Sequence, residues 1–262
     1  MKSVTAVLLV SGVIAGPAAR ADVPAGPSVY RVNLAIDGAI IAVTGAGALI
    51  PYTVASHIIT PTCPCDPHSV NSIDRTVIGN ASDVADWVST VMAGAAIIAP
   101  PLADWIALRD VMPWLEDVVV FTEAISVNGA LVTTAKYIVQ RPIPRVYSGA
   151  ASAHDPGNYR SFYSGHTSLT FAALSTASVT LNRRYGLTWQ PWVATAIVGA
   201  SVAMERVFAG QHFYSDVVVG AIAGTLTGIG VARLHLRGPD AAIGAWTNDH
   251  HDGGGLAVRW YQ

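Results

Sequence analysis

Charge is scarce in this chain. Of its 262 residues only 12% are Asp, Glu, Lys or Arg, roughly half of what globular domains carry. The formal net charge is −2, and no basic run interrupts the sequence. That combination excludes the electrostatic footprint of a nucleic-acid partner. Cysteine is equally rare: Cys63 and Cys65 stand alone around Pro64. Two sulfurs without further ligands nearby make a poor zinc site, and thiolate catalysis finds no support either. In an oxidising compartment the pair reads as a local loop staple. Strand-type alternation is also sparse, and no linker-like segment divides the chain, so an all-β fold and a two-domain layout are both disfavoured.

Apolar sequence is abundant: 52% of residues are hydrophobic and the mean hydropathy is +0.43. The start reads as a secretory signal over 1–21, with Lys2, an apolar core from Val4 to Ala15 and the small-residue pattern Ala19-Arg20-Ala21. It predicts an exported protein, in the cell membrane or periplasm. Apolar stretches then fall at 38–56 and 87–103, the second closed by Pro100-Pro101, which should kink or end a helix. Helices are also expected over 113–136, 166–181, 192–207 and 212–236, with loops over 58–85 and 141–161. Gly220, Gly224 and Gly228 recur at the four-residue interval that lets helices approach closely. The prediction is an all-α, membrane-embedded bundle of about six helices over 28–237, followed by a polar Gly-rich tail over 238–262.

Three segments carry chemistry. Arg206, His212 and Asp216 are spaced so that, on a helix, the carboxylate would orient the imidazole while the guanidinium offers a fork of donors to an oxyanion. Ser164-Gly165-His166 closes a loop and opens a helix, where a hydroxyl and an approachable backbone N–H suit an anion and the histidine can supply a proton. Lys136 ends a helix and is followed by Arg141-Pro-Ile-Pro-Arg145. His154-Asp155 and Asp249-His250-His251-Asp252 read as solvated side chains, so no metal site is expected.

In this order the three segments resemble the type 2 phosphatidic acid phosphatase family. Its superfamily also holds bacterial acid phosphatases and vanadium-dependent haloperoxidases. The family pattern is Lys-x6-Arg-Pro, Pro-Ser-Gly-His and Ser-Arg-x5-His-x3-Asp. Here Tyr163 replaces the second proline, Glu205 the serine, and Ile143 the first arginine. Since Pro142 should end the helix, Arg141 or Arg145 is expected to swing into the place that Ile143 leaves unfilled. The resemblance implies a phosphatase acting on a phosphate monoester or a lipid (pyro)phosphate. His212 would be the nucleophile, Asp216 its orienting acid and His166 the proton donor. Lys136, Arg206, Ser164, Gly165 and Arg141 would bind phosphate. No cofactor is implied; the alternatives are a haloperoxidase, in which vanadate would occupy the same site, and a membrane protein whose site has weakened.

Overall fold

The structure, a computed structural model, describes residues 28–63 and 65–238, together with the backbone of 241–247 and 254–260. The expected signal at 1–21 and the Asp249–Asp252 cluster lie outside the described residues. Six long helices form: α1 (Leu34–Thr53), α2 (Asp83–Leu108), α3 (Val111–Val139), α4 (Gly165–Tyr185), α5 (Gln190–Phe208) and α6 (Tyr214–His235). Their starts follow capping residues more than hydropathy. Asn33 accepts the N–H groups of Ala35 and Ile36, Ser82 that of Ala85, and Asp110 that of Met112. Each of these three helices therefore begins two to four residues before its apolar run. Helix α3 ends where Gln140 turns left-handed, two residues before Pro142.

Pro100 and Pro101 lie inside α2, which continues to Leu108. Of the two outcomes expected, a kink or an end, the end does not occur. Packing of α2 against α3, α4 and α5 outweighs the lost donors, and the Pro101 carbonyl accepts the Trp114 indole N–H at 2.9 Å.

The bundle alternates up and down, and α4 is its axis, packed against α2, α3, α5 and α6. Unusually for a core helix, α4 buries Thr167, Ser168, Thr170, Ser175, Thr176 and Ser178. Several hydroxyls are satisfied within the helix, Thr176 on the Ala172 carbonyl and Ser178 on that of Leu174, both at 2.8 Å. The α6 glycines allow its neighbour to approach closely. A Cβ on Gly220, Gly224 or Gly228 would stand 2.8, 2.1 or 2.4 Å from the carbonyl oxygens of Ser164, Ser168 and Ala172. The pairs advance together, so α4 and α6 run parallel with their N-termini side by side.

Among the described residues, four segments are long and apolar enough to cross a membrane: Leu34–Pro51, Asp83–Leu108, Val111–Tyr147 and Tyr214–His235. Large apolar side chains on them face outward, among them Val43, Leu49, Ile98, Ile138 and Leu226. Outside the bundle, β1 (Ala241–Thr247) and β2 (Gly254–Trp260) pair antiparallel, so the tail contains a hairpin that composition did not suggest.

Candidate active site

Alternation brings the N-termini of α2, α4 and α6 and the C-termini of α1, α3 and α5 to one end of the bundle. A cavity of about 610 Å³ opens there, lined by Lys136, Arg160, Arg206, His166, His212 and the Gly165 backbone, among others. No carboxylate lines it among the described residues.

His166 sits in the first turn of α4, with Nε2 3.2 Å from the Thr90 hydroxyl. Burial, then the positive charge of Arg206 and Lys136, pulls it down to about 4 against the opposing pull of Asp86. His212 is buried, and the same causes hold it well below its ordinary value: first desolvation, then Lys136, Arg206 and His166. Both imidazoles are therefore neutral at pH 7. His212 Nδ1 lies 2.7 Å from the Ser161 carbonyl, which can only accept. The proton is thereby fixed on Nδ1, and the Nε2 lone pair is free.

His212 and Asp216 do not share a helix face, contrary to the sequence reading. His212 precedes α6, and Asp216 lies in its first turn. The Asp216 Oδ2 is 3.9 Å from His212 Nδ1; it accepts the Phe213 N–H at 2.9 Å and the Ser161 hydroxyl at 2.5 Å. The four-residue interval is thus a capping geometry. Asp216 grips Ser161, and the Ser161 carbonyl grips the imidazole.

Neither arginine expected to replace Ile143 reaches the cavity. Arg141 reaches the other Asp216 oxygen at 2.6 Å and Asp74 at 2.8 Å, and lies 4.0 Å over the Phe213 ring. Two buried carboxylates capture it behind His212. Arg145 bonds the Ala209 carbonyl and Asp83. Ile143 itself lines the cavity. The cation that sequence reasoning missed is Arg160, from the turn Pro156–Tyr159, whose Nε donates to the Gly157 carbonyl at 3.2 Å. The Arg160 carbonyl in turn accepts from Lys136 Nζ. Four residues before Ser164, within a loop without periodicity, Arg160 carries no spacing signal. Only the fold brings it to Lys136.

Arg206 pairs with Asp86, which also accepts from Gln211, and it donates to Ser89. Its Nε is buried with no hydrogen-bond partner among the described residues. Ser164 is fully buried and does not line the cavity; its hydroxyl is 3.0 Å from that of Thr167. It occupies the N-cap of α4 but forms no side-chain cap bond. The first-turn amides of α4 therefore keep the donor character that helix starts offer to anions.

Outside the cavity, Cys63 and Cys65 are joined by a disulfide, and the Cys63 N–H donates to the Tyr159 hydroxyl at 3.2 Å. His154 is exposed, and Asp155 caps the turn at Gly157.

A profile described as the PAP2 superfamily matches residues 117–238. The crystal structure of Aquifex aeolicus LpxE is 25% identical to this chain, over 61% of this chain and 92% of the other, with a TM-score of 0.45. No curated protein matches at a significant level.

Proposed function

With the chain a member of the PAP2 superfamily, we propose that it hydrolyses a phosphate monoester or lipid (pyro)phosphate through a phosphohistidine at His212. One observation carries this reading: two neutral histidines share a cavity with three basic side chains, two of them arginines, and no carboxylate. Such a wall attracts an oxyanion, and the phosphoryl oxygens would be held by Lys136, Arg160, Arg206 and the Gly165 amide.

His212 Nε2 attacks phosphorus while its Nδ1–H keeps donating to the Ser161 carbonyl, so the imidazolium that forms is already hydrogen-bonded. As the P–O bond to the leaving group breaks, His166 gives its proton to the departing alkoxide. Charge decides when His166 can do this. Neutral among cations, it gains a proton once a phosphate anion offsets them. Water then attacks the phosphohistidine, its proton passes to His166, and phosphate leaves with His212 restored. Arg141, Asp216 and Ser164 act as positioning residues behind this wall.

Apolar outward faces on four helices support a bundle embedded in a membrane. Exposed Trp87 and Trp105 lie 18 residues apart on α2, a rise of about 27 Å that approaches the hydrocarbon thickness. A lipid phosphate presented from the bilayer surface suits a cavity at one bundle end. The test is acid- and alkali-quenched turnover of a ³²P-labelled lipid phosphate. Label that is alkali-stable and acid-labile, and absent from His212→Ala, is expected. Bromide oxidation that requires vanadate, with no phosphate release, would overturn the reading in favour of the peroxidase branch.

A further inference from the structure

A second cluster of functional groups lies well away from the cavity. Asp37 in the first turn of α1, Glu123 in α3 and His235 at the end of α6 direct one ligand atom each to a common point, all within 4.8 Å of one another. Glu123 precedes Lys136 by more than three turns of α3, roughly 20 Å at 1.5 Å per residue. The three helices meet here without any Lys or Arg paired to Asp37 or Glu123 among the described ion pairs.

The imidazole is set by its backbone. His235 Nδ1 is 2.9 Å from the Val231 carbonyl, so Nδ1 carries a proton and Nε2 is turned to the two carboxylates. Nε2 lies 3.5 Å from Asp37 Oδ1 and 3.6 Å from Glu123 Oε2. A charged N–H donating to a carboxylate closes to about 2.7–2.9 Å, and neither contact does. Four ligands placed tetrahedrally around zinc at about 2.0–2.1 Å stand roughly 3.3–3.5 Å apart, which these separations approach. Glu123 is 5% exposed, and its Oε2 is buried without a hydrogen-bond partner among the described residues. Asp37 is also 5% exposed, and its other oxygen accepts the Asn33 N–H at 2.7 Å. Outer-sphere contacts of this kind hold metal ligands in place.

We infer that Asp37, Glu123 and His235 form a site for a divalent transition-metal ion of the zinc class. Two carboxylates and an imidazole give the charge and donor mix that such an ion takes. The ion would pin the first turn of α1, which packs chiefly on α3, to the middle of α3 and the end of α6. This role is structural and independent of the phosphatase reading.

The experiment uses the full chain in detergent, with His250→Ala and His251→Ala introduced to remove the tail imidazoles from the count. After chelation and reloading with Zn²⁺, Mn²⁺ or Mg²⁺, gel-filtered protein is assayed for metal by mass spectrometry and for thermal unfolding. About one zinc per chain is expected, with a melting temperature higher by on the order of 5 °C at saturating metal. Absorption spectroscopy at the zinc edge should show only N/O ligands at about 2.0–2.1 Å. Glu123→Gln and Asp37→Asn should each lose the ion and the metal-dependent shift while remaining folded. No stoichiometric metal in the parent protein, or retention of zinc by both variants, would overturn the site. Because the parent protein alone can give the negative result, a variant that fails to fold does not shield the proposal.

Discussion

The two ends of this bundle both bury charge, and they sort it in opposite ways. At the cavity end, Lys136, Arg160 and Arg206 face the open space, while Asp74, Asp86 and Asp216 stand behind as anchors. Toward the other end carboxylates predominate: Asp104 and Asp117 converge on Arg184, and Asp37 and Glu123 on His235. The Arg184 set pairs its acids with a cation, although the guanidinium Nε and second amino group keep no hydrogen-bond partner among the described residues. One guanidinium, 1% exposed in its side chain, answers two acids directly. The cavity end lines its wall with cations and keeps acids behind that wall, Asp86 on Arg206 among them. In a low-dielectric surrounding a wall of one sign favours an anion in front of it. Buried charge by itself therefore says little about function, whereas an unbalanced wall of one sign says a great deal.

Substitutions at the two ends should separate activity from stability. His212→Ala is expected to lower phosphate release by about 10⁴-fold or more with little change in melting temperature; retained turnover would remove the nucleophile from the scheme. Arg184→Met should do the reverse. Leaving Asp104 and Asp117 uncompensated costs about 3–5 kcal/mol, read as a fall of roughly 6–20 °C in melting temperature, while the folded fraction keeps its kcat. Arg160→Ala should cut kcat/KM by about 10²–10³-fold, with partial recovery in Arg160→Lys. Ile143→Arg should bring no gain, because Arg160 already supplies the missing charge; a clear rise in kcat/KM would show that it does not.

The smallest effect concerns pH. His166 titrates near 4 in the folded protein and near 6.5 unfolded. A histidine lowered on folding contributes stability that is complete above pH 6.5 and is lost as pH falls toward 4. The loss amounts to at most about 3 kcal/mol by linkage, with His212 acting in the same direction. Melting curves between pH 7 and 4 should show the decline, it should flatten in His166→Asn, and bound phosphate should oppose it.

Much of this was legible in the chain. Six helices were expected and six long ones form, because long apolar runs mark helices and glycine spacing marks close helix contact. Their starts were displaced because Asn33, Ser82 and Asp110 cap them, a local effect that hydropathy ignores. The motif residues His166, His212 and Lys136 meet as their order suggested. What failed was geometry around them. Treating His212 and Asp216 as helix neighbours overlooked that Phe213 is the N-cap of α6, and Arg141 was drawn off by Asp74, 67 residues away. Arg160 and the Asp37–Glu123–His235 cluster depend on contacts between distant segments. No window along the sequence contains them.

The hydroxyl-rich α4 has a consequence for how the protein is made. Taken alone it is the least apolar of the long helices, and the glycine face that receives it belongs to α6, which emerges from the ribosome later. If the bundle resides in lipid as proposed, α4 cannot settle when it is synthesised; it must be sheltered until α6 arrives. The closeness of Gly224 to Ser168 would then act as a checkpoint in biogenesis. A bulkier residue there would leave a chain with its catalytic groups intact and no completed enzyme to hold them.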